Sequence, residues 1–334
     1  MPVLYLIEQG SKLHKEGEVF TVTRGEELLQ KIHAVEVEQV IVMGNITLTT
    51  PVIDYLLQHG IDCVFCNSLG KYHGRLTSTE SRLGSLRLRQ SAAVLDGDAR
   101  LSLAKSFVRG KLQNCRTLLM RYRRELGLPI LEETVEMLED SLKGIENCPG
   151  IGSLLGIEGG ASAAYYKSIK EILKQPMGFT ARVRRPPTDP VNSMLSFGYT
   201  LLTYNVQAAL SIVGFDPFIG FLHSVEQPRA NLALDMVEEF RPIIVDSLVL
   251  WLVNTGVMTE AEFERPVESG RMVKITPDGL KKFIHHYEMR VQSKVYHARA
   301  NGQTSYRHCF EMQARELAAV LNDATYAYKP FLVR

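Results

Sequence analysis

Three short segments of this chain carry residues whose types and spacing suit chemistry on phosphate esters. The first is Gly156-Ile-Glu158-Gly-Gly-Ala-Ser-Ala-Ala-Tyr165-Tyr166, where small residues leave room beside an acid. Its glycines do not make a nucleotide loop, because no Gly-Lys-Ser/Thr ending and no preceding strand accompany them. The second runs from Gly220-Phe-Leu-His223 to Asp235-Met-Val-Glu238-Glu-Phe-Arg241-Pro242. A helix is expected to begin at Ala230 or Asn231, with Leu232, Leu234, Met236, Val237 and Phe240 as its apolar stripe. On that helix Asp235 and Glu238, three residues apart, share one face, and Arg241 continues the row. His223 stands in the loop upstream. A Glu, a His and a Glu or Asp suit a hard to borderline divalent cation such as Mg²⁺ or Mn²⁺, and zinc accepts the same donors. Such a site, with open positions, can polarise a phosphate and activate a hydroxyl nucleophile. Glu158, His223 and Glu238 are therefore the candidate metal ligands, with Asp235 beside them. Each also has a plainer reading, as a helix-surface acid or a satisfied core histidine.

The third segment is Arg182-Val-Arg184-Arg185-Pro-Pro-Thr188-Asp189-Pro-Val-Asn192-Ser-Met-Leu-Ser196-Phe-Gly-Tyr199. Its basic residues and prolines make a stiff approach to a helix capped near Asp189, with Pro190 in the first turn. Asn192, Ser196 and Tyr199 are spaced to line one face. Arg182, Arg184, Arg185, Asn192 and Arg229 are candidate phosphate contacts beside the metal. The formal net charge of +1 conceals basic blocks. Between Arg82 and Arg124 stand eleven Lys or Arg against Asp96 and Asp98, and Lys167 to Arg185 holds six against Glu171. Patches rather than totals steer phosphate backbones, so the first block, with Arg87 and Arg89, is expected to track duplex DNA. Two solvated helix faces are the alternative.

These side chains need a scaffold. With 334 residues, 45% of them hydrophobic and 22% charged, the chain is long enough for two cored domains. Val3-Leu-Tyr-Leu-Ile7, Val19 to Thr23, Gln39 to Met43, Ile61 to Phe65 and Tyr72 to Thr77 read as strands. One helix interrupts them, capped by Thr50 with Pro51 in its first turn. From about Thr79 the apolar period becomes helical: Leu101, Ala104, Val108, Leu112, and again Leu195, Leu202, Val206, Leu210. A short hairpin around Glu268-Ser-Gly-Arg271 and a helix over Asp278–Arg299 are expected downstream. The architecture predicted is α+β: a small sandwich-like β-rich domain over residues 1–80, then a larger all-α domain over 81–334. No membrane-length apolar run and no signal peptide are present, so a cytoplasmic protein is expected. The five cysteines fit reduced thiols, and Cys63-Val-Phe-Cys66, alone in an apolar run, reads as buried rather than metal-binding.

Taken in order, the Gly-Ile-Glu158-Gly block, the Arg-Arg-Pro…Asp-Pro-Val-Asn192…Leu-Ser-Phe-Gly-Tyr block and His223…Leu-Ala-Leu-Asp235-Met-Val-Glu238-Glu-Phe-Arg-Pro resemble the Cas-one family of CRISPR adaptation integrase-endonucleases. The likeness extends from the β-rich start to the Tyr326-Ala-Tyr-Lys-Pro-Phe ending. It implies a metal site of Glu158, His223 and Glu238, where some relatives carry Asp at the last position, assisted by Asp235. It also implies a homodimer, with dimerisation and partner docking through the β-rich domain, paired with the small second CRISPR adaptation protein. The implied activity joins short DNA fragments to the CRISPR array, a DNA 3′-hydroxyl attacking a phosphodiester in double-stranded or branched DNA. Hydrolysis is the same reaction with water. The residues alone also allow a helical metal-dependent phosphohydrolase of RNA or nucleotides, or a non-catalytic DNA-binding scaffold. Whether His223 ligates a metal or donates a proton stays open at this level.

Overall fold

The computed structural model describes residues 3–68, 70, 72–76, 84–184, 186–223, 229–265, 272–323 and 325–333. Arg185 and the turn expected at 268–271 lie outside them. The chain divides into two units, Met1–Arg82 and Leu83–Arg334.

The first unit is built from short strands because its apolar residues alternate or cluster in runs of five or so between Gly and Asn turns. Its elements are β1 (Val3–Leu6), β2 (Lys12–Glu16), β3 (Val19–Arg24), β4 (Glu27–His33), β5 (Gln39–Met43), β6 (Thr47–Leu48), α1 (Thr50–Gln58), β7 (Asp62–Cys66) and β8 (Tyr72–Leu76). One sheet has the order β1-β5-β7-β8 and the other β4-β3-β2-β6. In the first, β1, β5 and β7 run parallel and β8 antiparallel. Leu4, Leu6, Val40, Val42 and Cys63 of one sheet share a core with Leu13, Phe20 and Val22 of the other and Val52 and Leu56 of α1. This is the sandwich-like arrangement expected from sequence.

Sequence reading passes over three strands here, the two-residue β6 and the longer β2 and β4. In β2, Lys-Leu-His-Lys-Glu, only Leu13 is fully buried, and no residue of the edge strand β4 is. Neither offers the apolar alternation that marks a strand. The α1 cap falls on Thr49, one residue before Thr50.

The second unit is helical: α2 (Gly84–Leu95), α3 (Gly97–Leu126), α4 (Pro129–Glu146), α5 (Ile151–Ile172), α6 (Pro190–Val213), α7 (Asn231–Arg241), α8 (Ser247–Asn254), then the strands β9 (Phe263–Glu264) and β10 (Lys274–Ile275), α9 (Pro277–Gln292), β11 (Lys294–His297), β12 (Gly302–Ser305) and α10 (Tyr306–Asn322). The 30-residue α3 packs against α4, α5 and α7, so it is the helix on which the site is assembled. Its start is capped by Asp96, which accepts from the backbone N–H groups of Asp98 and Ala99. It ends at Gly127 in the left-handed conformation, φ 62°.

The helical unit is not wholly α. β9 and β10 pair antiparallel on either side of 266–271, and β11 pairs with β12. The second hairpin corrects the expected helix over Asp278–Arg299, which stops at Gln292. The missed signal is Asn301-Gly302: Asn301 takes a positive φ of 47° at the turn, and an Asn-Gly pair between strand-forming residues marks a hairpin. Between α7 and α8, Pro242–Asp246 forms a π-helical turn. Arg290 Nε donates to the Ile243 carbonyl within it at 2.9 Å.

Candidate active site

Asp235, on α7, organises the histidine. Wholly buried, it accepts hydrogen bonds from three successive backbone N–H groups: Phe221 at 2.6 Å and Leu222 at 2.9 Å on Oδ2, His223 at 3.0 Å on Oδ1. Its Oδ1 also lies 2.6 Å from His223 Nδ1. A carboxylate offers only acceptors, so Nδ1 carries the proton and Nε2 keeps its lone pair for a ligand. Arg100 of α3 grips the same loop from the other side, Nε donating to the Phe221 carbonyl at 2.8 Å. Gly220 permits this close approach, since a Cβ there would stand 2.8 Å from both the Asn231 backbone and Asp235 Oδ2. Burial pulls the His223 imidazole down, but the bond and charge of Asp235, with Glu238 beyond, carry its pKa above the ordinary histidine value.

The two glutamates meet over a lysine that sequence reading counts only as one of eleven basic residues. Lys111 Nζ contacts Glu158 Oε1 of α5 and lies 2.7 Å from Glu238 Oε2 of α7. Ser162 Oγ, one turn along α5, donates to Glu158 Oε1 at 2.8 Å. Arg241 Nη1 lies 2.6 Å from Glu238 Oε1, as the row Asp235–Glu238–Arg241 anticipates. Burial would raise the Glu238 carboxyl, but Arg241 and Lys111 pull it down to about 2. For Lys111, burial opposes the ammonium, and Glu238 and Glu158 outweigh it and hold its pKa above the usual lysine value. Lys111 stands on the buried stripe Ala104–Phe107–Lys111–Cys115–Leu118 of α3. A lysine interrupting an apolar stripe is the signal by which it can be found, because a buried ammonium requires partners.

Behind this cluster sits a second one. The Arg241 guanidinium lies 4.9 Å from the Tyr199 ring centroid and that of Arg182 5.5 Å. The Tyr199 hydroxyl donates to Asp246 Oδ1, and Tyr165 donates to Asp246 Oδ2 at 2.8 Å. Tyr166 and Tyr199 share a hydroxyl contact of 2.6 Å. Burial raises the Asp246 carboxyl to about 6 against the pull of both tyrosine hydroxyls. Asp246 and Glu239 are missed from sequence. Glu239 accepts from the Phe331 N–H at 2.8 Å and from the Tyr328 hydroxyl at 2.9 Å, and so ties the C-terminal segment to α7.

The candidate phosphate contacts are placed diversely. Asn192 is fully buried: its Oδ1 accepts from Val183 N–H at 2.9 Å and Arg182 Nη1 at 2.8 Å, and its Nδ2 donates to the Ala181 carbonyl at 2.9 Å. It pins the basic loop from inside rather than lining an open face. Arg182 Nη1 also donates to the Val183 carbonyl at 2.7 Å, and its Nη2 to Ser196 Oγ at 3.0 Å. Arg184 and Arg229 are exposed. Arg87 donates to the Gly214 carbonyl at 3.2 Å and Arg89 to Asn322 Oδ1. Three of the eleven basic residues of the first block pair with acids of α4, as Arg109–Glu146, Arg116–Glu139 and Arg123–Glu132. The one-sided charge of the sequence is thus partly an interhelical pairing.

Among the described residues no three His, Cys, Asp or Glu side chains converge as they stand into a metal cage. The donor set nevertheless suits a divalent cation: two carboxylates brought to one point by Lys111, and an imidazole oriented by an outer carboxylate. The five cysteines are buried free thiols. No helix among the described residues is long and apolar enough to cross a membrane.

The family model for the CRISPR associated protein Cas1 matches residues 4–289. The CRISPR-associated endonuclease Cas1 3 of Thermus thermophilus is 34% identical over 334 residues, covering 99% of this chain and 97% of that protein. Among solved structures, a Cas1 protein from Thermotoga maritima superposes with a TM-score of 0.82 at 26% identity, over 96% of this chain and 97% of that one. A casposase bound to integration product gives 0.84 at 24% identity, over 100% and 93%, and shares the fold. Matched by the family model over residues 4–289 and by a relative 34% identical along nearly its whole length, the chain belongs to the Cas1 family.

Proposed function

We propose that this chain is a nuclease and integrase of CRISPR adaptation, and that its activity on DNA depends on a divalent metal. The observation that carries the reading is the Asp235–His223 pair, which engages Nδ1 and leaves Nε2 as the nitrogen that can take a ligand, on a ring close enough to Glu238 to feel its charge. These three side chains would hold Mg²⁺ or Mn²⁺. When bound, the ion would neutralise charge building on the phosphorus centre and favour the deprotonated nucleophile.

The protein's own residues account for the rest. Asp235 fixes the imidazole, so the donor atom is presented without a search through rotamers or tautomers. Arg241, held on Tyr199, keeps Glu238 in place. Arg184 and Arg229, exposed near either end of the site segments, are suited to hold the DNA backbone electrostatically. In joining, the oxygen of a DNA 3′-hydroxyl bonds to phosphorus and loses its proton. The bond to the departing 3′-oxygen breaks, and that oxygen takes up a proton. Hydrolysis follows the same path with water. In-line displacement of this kind needs positioning and charge neutralisation more than a covalent nucleophile. A homodimer, joined by the small second adaptation protein and acting on double-stranded and branched DNA, is the assembly that family membership suggests.

The test is turnover of branched DNA, duplex DNA and free nucleotides in Mn²⁺ or EDTA, with wild type and His223→Ala. DNA cutting and joining that require Mn²⁺ and vanish in the variant are expected. Turnover confined to free nucleotides would replace this reading with a nucleotide phosphohydrolase, and DNA binding without turnover would replace it with a scaffold.

A further inference from the structure

We propose that Lys111 is the resident counter-cation of the Glu158–Glu238 pair, a built-in competitor that a divalent ion must displace from Glu238 to enter the site. The inference rests on the metal-dependent reading above and concerns what sets the affinity. Two features of the geometry carry it. First, Lys111 bridges both carboxylates, contacting Glu158 Oε1 and standing 2.7 Å from Glu238 Oε2. Second, both oxygens of Glu238 already face a cation, since Arg241 lies 2.6 Å from Oε1. A metal using Glu238 has to approach an oxygen that already faces one of these positive charges.

Lys111 is the one built to yield. Arg241 is also seated on the Tyr199 ring at 4.9 Å and is bound to Glu238 from the same helix. The Lys111 ammonium is a point charge on a flexible stem, with three donors that re-aim by rotation. Its contact with Glu238 is not a well-aligned hydrogen bond: among the described residues no donor meets buried Glu238 Oε2 at good hydrogen-bond angles, despite the 2.7 Å separation from Lys111. The attraction there is mainly Coulombic and can be matched by a doubly charged ion. Gly110 keeps the lysine close, because a Cβ at that position would stand 2.6 Å from Pro330 Cβ and 3.1 Å from Glu239 Cβ, holding α3 away from α7. Without metal, Lys111 prevents two adjacent carboxylates from repelling each other in a buried place. With metal, its positive charge opposes the second cation. The site is therefore poised against weak ions and loose occupancy.

Direct Mn²⁺ binding to the purified full chain tests this, by calorimetry or by the electron paramagnetic resonance of free Mn²⁺. Lys111→Gln should bind Mn²⁺ at least on the order of tenfold tighter, the scale expected for removing one unit charge a few ångströms away. Lys111→Arg, which keeps the charge, should not. In the wild type, Mg²⁺ should shift the ¹⁵Nζ resonance of Lys111 and speed its hydrogen exchange, a readout that does not depend on a variant folding. Equal or weaker Mn²⁺ binding by Lys111→Gln, or an unmoved Lys111 resonance at saturating Mg²⁺, would overturn the proposal and leave the metal site standing. No Mn²⁺ binding by any of the three proteins would overturn the metal reading and this inference together.

Discussion

At the scale of residues, the site is a set of charges that only make sense together. Glu238 is almost wholly buried between Lys111 and Arg241. Glu238→Gln would leave two buried cations facing a neutral amide, so it should lower stability by about 3–5 kcal/mol as well as abolish activity. His223→Ala removes a half-exposed ring and should abolish activity at a much smaller cost; chemical denaturation of both variants distinguishes them. Asp235→Asn keeps the shape but offers Nδ1 and three N–H groups a poorer acceptor. Mn²⁺ affinity should fall about 10- to 100-fold, and an unchanged affinity would remove Asp235 from its orienting role. Glu158, His223, Asp235 and Glu238 stand out in the sequence as candidates by their residue types and setting, each with a plainer reading beside it, and the family resemblance is what singles them out. Lys111 was not, since a basic residue in a basic block looks solvated until the apolar stripe around it is noticed.

At the scale of elements, the site depends on where α3, α5 and α7 touch and on the turns that end them. Gly220→Ala would push a methyl group into Asp235 and the start of α7. The expected result is a loss of about 1–3 kcal/mol together with weaker Mn²⁺ binding, since the His223 loop must move. The π-helical turn after α7 carries Asp246 inward to Tyr165 and Tyr199. Burial pushes its carboxyl up to about 6 in the folded protein, against an ordinary 3.8. The folded state then binds more protons than the unfolded one between those values, so this group's contribution to stability is full below about pH 4 and is lost as pH rises through about 6. Asp246→Asn should remove that slope from the thermal midpoint measured between pH 4 and pH 7; an unchanged slope would assign it to other groups. The long helices and the five apolar strands were legible from periodicity. The polar strands β2 and β4 were not, because tertiary pairing rather than local pattern makes them strands, and the β11–β12 hairpin was marked only by its Asn301-Gly302 turn.

At the scale of the whole molecule, charge that looks like a DNA track in the sequence is divided between two uses. Arg109, Arg116 and Arg123 pair with acids of α4, whereas Arg184 and Arg229 face solvent. For every phosphate that the protein no longer neutralises, the slope of log affinity against log salt should become shallower by about 0.9. Arg184→Ala with Arg229→Ala should therefore flatten it by roughly 2, and an unaltered slope would place the DNA elsewhere. The central claim is that the Glu158–His223–Glu238 site joins DNA by attack of a 3′-hydroxyl. Its most direct test offers the protein, in Mn²⁺, two otherwise identical DNA fragments, one ending in a 3′-hydroxyl and one in a 3′-deoxy terminus, with a branched or supercoiled target. Covalent joining of the first fragment only, abolished in His223→Ala, is the predicted result. Joining of both fragments alike, or of neither while the target is only hydrolysed, would contradict it.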